Sequence, residues 1–248
     1  MPKQKGLFKI EGSIDGVTFY RTADGHFVRM AGGVSKSRIM NDPAFARTRE
    51  NINEFGNNAK AAKMLRDAMG SFTRNATDSR TSNRLMQIFN KITKLDTVSP
   101  RGERKISLGL EEQAGKNLFF KFDFNKKAQL SNVLRRTYNL DATAGTFEIQ
   151  DFIPAVDLIK PEGATHATMT SASLGIDFDS GNSALVQSAP LNFQIDSTTQ
   201  QLELTATPPT GLPFVYQFLL IEFFQEVNAV QYPLNNGSYN VLFILDLS

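Results

Sequence analysis

The chain has 248 residues, 41% of them hydrophobic and 21% charged, a balance that belongs to folded globular proteins and excludes whole-chain disorder. It has no Cys, which excludes disulfides, thiolate nucleophiles and cysteine metal sites together. The net charge of +2 conceals a division: residues 1–136 hold 26 of the 27 Lys and Arg against 13 acids, whereas residues 137–248 hold Lys160 alone against 12 acids.

The N-terminus, MPKQKGLFKIEG, is basic but has neither the apolar run nor the small-residue cleavage site of a secretory signal. No stretch approaches 18 apolar residues, so no membrane span is expected. These features predict a cytoplasmic chain, with release as part of an assembled particle left open. Residues 7–30 predict short strands. LFKI comes first, VTFYRT follows a turn at Asp15–Gly16, and HFVRM follows the turn Ala23-Asp24-Gly25. Val17, Phe19, Phe27 and the stem of Arg29 are expected to share one face. A lone hairpin is marginal in water, so this element needs a surface to lie on. Gly32-Gly33 breaks the pattern.

Residues 41–73 predict one long amphipathic helix, capped by Asn41 or Asp42 with Pro43 in its first turn. Phe45, Ile52, Phe55, Ala59, Ala62, Leu65, Ala68 or Met69, and Phe72 draw a single apolar stripe along it. After a break at Asn75–Asp78, a second helix is predicted over about Ser79–Leu95, with Leu85, Ile88, Phe89, Ile92 and Leu95 inward. The short connection predicts an antiparallel helical hairpin. Residues 96–105, DTVSPRGERK, read as a polar loop, and a weak helical turn is expected over Leu108–Ala114. LFFKFDF at 118–124 alternates as a strand does.

From about residue 129 the pattern changes to short strands. They are expected at Ser131–Leu140, Thr146–Ile149, Ala155–Leu158, His166–Phe178, Ala184–Val186, Leu191–Ile195, Gln201–Thr207, Pro213–Val227, Val230–Leu234 and Tyr239–Leu247. The last three predict a meander with turns at Asn228–Ala229 and Asn235–Gly237. The fold class expected is α+β: an N-terminal β-hairpin plus helical hairpin, followed by an all-β immunoglobulin-like sandwich that lacks the Cys–Trp–Cys core. The regions are a basic one at 1–128 and an acidic sandwich domain at 129–248.

Catalytic signals are absent from this sequence. His26 and His166 are far apart with no carboxylates at ligand spacing, so no metal site is expected. Asp177-Phe-Asp179-Ser-Gly181-Asn182 falls one residue short of a calcium-loop rhythm and has no Glu at the required offset, so it reads as a turn. No G-x-S-x-G elbow or Walker loop occurs, nothing selects a pair of carboxylates, and no cofactor is implied. The expectation is a non-enzyme. One constellation points to binding. Lys3, Lys5, Lys9, Arg21, Arg29, Lys36 and Arg38 interleave with Phe8, Phe19, Tyr20 and Phe27, and Arg101, Arg104 and Lys105 form a second cluster. Cations among aromatics suit single-stranded nucleic acid. The plainer reading places those aromatics in a core with the cations on the solvated side.

The segments KQKGLFKIEGSIDGVTFYRTADGHFVR, SRIMNDPAFARTRENINEFG and IEFFQEVNAVQYPLNNGSYN resemble a family of uncharacterised proteins of about this length from Bacteroidota bacteria. The resemblance touches both ends of the chain and the first helix. It implies a bacterial or mobile-element origin and one two-part architecture, and it brings no activity, catalytic residue or cofactor.

Opposed charge can be satisfied within one molecule, between copies, or on a polyanion. The function expected first is a self-assembling structural subunit, a filament, sheath or particle coat, forming homo-oligomers. Lys3, Lys5, Lys9, Arg21 and Arg29 would meet Asp177, Asp179, Glu222 and Glu226 of a neighbour. The alternative is a nucleic-acid-associated protein that binds through its basic N-terminal half.

Overall fold

The computed structural model describes residues 2–30, 32–234 and 238–248. The fold is mixed, 29% helical and 33% strand. Its contacts form two compact units, Met1–Asn51 and Ile52–Ser248.

In the first unit β1 (Gly12–Ile14), β2 (Val17–Thr22) and β3 (Gly25–Met30) form an antiparallel sheet in that order. Asp15 and Gly16, with φ of 44° and 75°, make the first turn. The segment LFKI does not join the sheet. Residues 2–4 run beside β3 instead: the Val28 amide donates to the Pro2 carbonyl and the Gln4 amide to the His26 carbonyl, each at 3.0 Å. The expected hairpin face is also corrected. Phe19 stands opposite Val28 and Tyr20 opposite Phe27, so Phe27 and Arg29 share a face with Tyr20, not with Val17 and Phe19. The two-residue turn at Ala23-Asp24 sets this register, and directly opposed residues always point to the same side.

The single helix expected over 41–73 is divided. α1 (Lys36–Asn41) is capped by the Ser35 hydroxyl, Asp42 then caps a tight turn at Pro43–Phe45, and α2 runs over Ala46–Met69. Pro43 ends α1 because a proline ring disfavours helical backbone at the residue before it. Gly70, at φ 55°, separates α2 from α3 (Ser71–Asn75).

In the second unit the remaining helices are α4 (Thr81–Thr93), α5 (Ile106–Glu111), α6 (Gln113–Asn117), α7 (Leu130–Val133) and α8 (Pro154–Asp157). The strands are β4 (Asn139–Asp141), β5 (Thr146–Phe152), β6 (His166–Ile176), β7 (Ser183–Gln187), β8 (Leu191–Gln194), β9 (Gln200–Thr205), β10 (Phe214–Val227), β11 (Val230–Pro233) and β12 (Val241–Leu247). α2 and α4 pack antiparallel. Asn58 donates to Asn90 at 2.7 Å, and eight residues further along α2 Arg66 donates to Ser82 at 2.6 Å. The buried stripe of α2 starts at Asn58 and continues through Ala61, Ala62, Leu65 and Met69, whereas Ile52 and Phe55 are exposed. The strand expected at 118–124 forms only at its end: 118–121 are turns, with Lys121 at φ 59°, and residues 122–124 pair antiparallel with β12 through Asp123 and Phe243. Phe119 and Phe124 are nonetheless fully buried. Two further expected strands are short helices in part or whole, α7 within 131–140 and α8 within 155–158; Pro154 opens α8 at a position where proline favours a helical start.

β6 and β10 pair from Ile176↔Phe214 to His166↔Phe224 and form the spine of a six-stranded curled sheet. On its other edge β10 carries β12 and then β11, end to end; β6 likewise carries β7 and β8. The C-terminal segment is therefore not a meander, because β11 and β12 share one edge of β10. Its turn at Asn228–Ala229 forms with both residues left-handed, and Asn235–Gly237 lies outside the described residues. A separate sheet runs β4-β5-β9.

Strand alternation places two cores on the two faces of the spine. Met169, Leu219, Ile221 and Phe223 pack with Phe147, Ile149, Leu202 and Leu204 of the three-stranded sheet. Leu174, Tyr216, Phe218 and Leu220 pack with Leu65, Leu85, Phe89 and Phe119 of the helical layer. Residues 52–128 thus share a core with the strands. The boundary between cationic helices and anionic sheets is largely apolar, crossed by polar contacts such as Ser107 to Asp179 and Asn75 to Glu222, while Arg84 pairs with Asp78 and Arg104 with Glu54 inside the helical segment.

The loop at 96–105 is held by two carboxylates, Asp96 within it and Glu54 of α2, which accepts from the Gly102 amide. Asp96 accepts from the amides of Val98, Ser99 and Lys105 at 2.8–2.9 Å. Burial pushes its carboxyl up, but these donors outweigh it and bring the pKa to about 2; Asp78 reaches about 2 against burial through the amides of Lys126 and Arg80 and the Arg84 guanidinium. Both folded values lie below the ordinary 3.8, so this stabilisation is complete above about pH 4 and is lost as pH falls through about 2. Asp96→Asn should cost about 1–3 kcal/mol near neutral pH, because an amide nitrogen then faces backbone donors. Urea titrations should also show a flatter stability profile between pH 4 and 2 for this variant than for the wild type.

Candidate functional site

The first unit has no core of its own. None of its described residues is buried, while Leu7 is 98% exposed, Phe8 88% and Met30 81%. Small sheets of this kind are stable only when an apolar face is covered. What order the unit has comes from local contacts. Tyr20 and Phe27 stack with centroids 6.0 Å apart, Lys3 lies 5.4 Å from the Phe27 ring and Arg29 5.4 Å from the Tyr20 ring. Cation–aromatic contacts at exposed sites are worth about 0.5–1 kcal/mol each. Lys9 donates to the carbonyls of Gln4 and Gly6, which closes the loop before β1. On the other face lie Val17, Phe19, Val28 and Met30, with Arg21 opposite His26 and His26 3.5 Å from Glu11. Arg38 pairs with Asp42 and sits over Phe45, Arg49 donates to the carbonyls of Ile39 and Asp42, and Lys5 and Lys36 are exposed.

The remaining sequence candidates fall in the second unit and serve several purposes. Arg104 is 3.5 Å from Glu54, which also accepts from the Gly102 amide, so this cluster is partly tied to α2. Arg104 and Lys105 line a hollow of about 320 Å³ with Lys60, Phe178 and Asp179. Asp177 organises its own turn, accepting from the amides of Asp179 and Ser180; Asp179 accepts from the Ser107 hydroxyl. Glu222 is half-buried and accepts from Asn75; burial pushes its carboxyl up against that bond. Glu226 is exposed, 3.5 Å from His166. Asp177 and Asp179 follow one end of β6 and Glu226 lies beside the other end, roughly 35 Å away at the usual rise per residue. The four acids are therefore not one patch.

Sequence reading missed two features. Pro2 and Gln4 extend the first sheet, and no sequence signal marks them, since proline supplies only its carbonyl. The second is the outer face of the three-stranded sheet, where Glu148 stands directly opposite Glu203 beside Asp141, in a hollow of about 480 Å³. Its signal was present in the alternation of TFEIQ and QLELT. Like charges directly opposed destabilise a sheet, so this arrangement suits a cationic partner.

No protein-family model, curated protein or solved structure matches this chain. Among the described residues, no group of three or more His, Asp or Glu side chains could hold a metal ion, and no helix is long and apolar enough to cross a membrane.

A sheet without a core opens at little cost, whereas the spine opens only with the whole second unit. Hydrogen exchange of the dilute monomer should therefore release the amides of β2 and β3 orders of magnitude faster than those of β6 and β10. Equal protection of both in a verified monomer would contradict this account.

Proposed function

We propose that this chain is a self-assembling structural subunit whose first unit is completed by contact with the second unit of another copy. The supporting observation is that no described residue of the first unit is buried, while Leu7, Phe8 and Met30 are nearly fully exposed. Exposed apolar surface of this kind, together with open sheet edges, marks a surface built to be covered.

Charge supports a second copy as the cover. Residues 1–51 carry nine Lys and Arg against five acids, and the outer face of the three-stranded sheet carries Asp141, Glu148 and Glu203. A contact between two different surfaces of the same chain is heterologous. It closes into a ring or continues as an open filament according to the rotation per subunit. Opposite charge steers the encounter and fixes its orientation.

The full-length chain should form larger species in sedimentation and in negative-stain microscopy. A variant lacking residues 1–51 should remain monomeric and keep a cooperative unfolding transition, since both cores lie beyond Asn51. Reversing Lys3, Lys5, Lys9, Arg21 and Arg29 together to Glu should disperse the assembly. Reversing Glu148 and Glu203 to Lys in the same chain should restore it. Asp177 and Glu222 are unsuited to that rescue because their carboxylates are tied into the fold. A full-length chain that stays monomeric at high concentration removes this proposal.

A further inference from the structure

A cationic groove runs along the exposed face of α4. Arg80, Arg84 and Lys91 lie on the helix, and Lys121, Lys126 and Lys127 lie on the turns that follow α6. Two open hollows of about 600 and 270 Å³ adjoin one another, both lined by Arg84, Gln87 and Lys126. From Arg80 to Lys91 the helix rises roughly 16 Å, the reach of a short run of phosphates rather than a single one. None of these six cations belongs to the N-terminal cluster or the loop at 96–105.

Two carboxylates face the groove, and one of them, Asp78, neutralises Arg84 within it, which leaves Arg80, Lys91, Lys121, Lys126 and Lys127 as its available cations. Asp78 accepts from the amides of Arg80 and Lys126 at 2.7 and 3.0 Å and from Arg84 at 2.8 Å. Asp123 accepts from the Leu130 amide at 2.9 Å and from Gln129. Arg84 is held in place by Asp78 and by the carbonyls of Asp123 and Phe124. The ends of Lys91, Lys126 and Lys127 are exposed. Asn83, Gln87 and Gln129 add amides that can donate or accept without regard to base identity. Phe120, next in sequence to Lys121, is 62% exposed but lines a separate hollow with Lys116 and Asp246.

We infer that the groove between α4 and residues 121–129 binds single-stranded nucleic acid, through phosphates held along α4. The acidic face of a second copy fits less well. That face is itself a hollow, at Asp141, Glu148 and Glu203, and two concave surfaces do not fill one another. A single strand is a narrow anionic rod and does fill a groove.

The test is fluorescence anisotropy of the full-length protein with a labelled single-stranded oligonucleotide of mixed sequence. Binding should weaken as salt rises, with log K falling on log salt at a slope of about −2 to −3 for three or four phosphates. Lys126→Glu with Lys127→Glu should weaken binding at low salt tenfold or more and flatten that slope. Lys60→Glu with Lys63→Glu, the same change of charge on α2, should stay within twofold of wild type. All variants are first matched to wild type by thermal unfolding. Three results would each overturn the inference: no binding at low salt, an equal loss in the α2 control, or a groove reversal that abolishes self-association while oligonucleotide binding persists. The last assigns the groove to a second copy.

Discussion

The central constraint on the second unit is that β6 and β10 are apolar on both faces. Leu219, Ile221 and Phe223 point one way, and Tyr216, Phe218 and Leu220 the other. A sheet of this kind must be covered twice, at about 25 cal/mol per Å² of apolar surface removed from water. One cover is the helical layer and the other is the sheet β4-β5-β9. Because these covers meet the spine through apolar side chains, their charges are left on their outer surfaces. Glu148 and Glu203 of the small sheet therefore stand on its outer face, whereas Asp151 pairs with Arg136 and Asp179 lies beside Lys60, Arg104 and Lys105. The charge division seen along the sequence is only in part a division between sides of this unit.

The change of charge near residue 136 is accordingly not where contacts divide the chain. The helical hairpin is cationic on its surface yet belongs energetically with the strands, through Leu85, Phe89 and Phe119 against Tyr216 and Phe218. The contacts divide after Asn51 instead. Before that point there is regular backbone without burial, a combination that local hydrogen bonds and a few cation–aromatic contacts support only marginally. Conformational entropy costs roughly 1–2 kcal/mol per ordered residue, and about fifty residues without a core have little to offset it. A covering partner supplies the missing term, which is why assembly is a thermodynamic argument here and not only an electrostatic one.

Elements whose pattern was set by their own packing were legible in the sequence. The long strand runs of β6 and β10, the stripe Leu85, Phe89, Ile92 of α4 and the turns at Asp15–Gly16 and Asn228–Ala229 each follow from local chemistry. Elements decided by distant contacts were not. LFFKFDF alternates like a strand, but only its end pairs with β12, Phe119 enters the helical core from turns, and Lys121 adopts a left-handed backbone that no alternation reveals. Ile52 and Phe55 fit the helical stripe of α2, but α4 reaches only as far as Asn58, so nothing covers them. The candidate acids were chosen for charge and position alone. Sequence could not show that Glu222 turns inward toward Asn75, nor that Glu148 and Glu203 meet across two strands 55 residues apart in the chain.

The two cationic surfaces differ in physical kind, and that difference bears on what they do. In the first unit the cations sit on aromatic rings of a sheet with no interior, so their geometry is only as firm as that sheet. Along α4 the groove is built on a helix whose other face is the best-buried part of the helical core, and its central arginine is held by a carboxylate and two carbonyls. A contact that must form by adaptation, such as subunit on subunit, suits the former. A site that must present phosphate donors at fixed spacing suits the latter, because preorganised donors lose little entropy on binding. A subunit with both would cover its neighbour with one surface and hold a polyanion with the other, and the two roles can be separated by mutation because no residue serves in both.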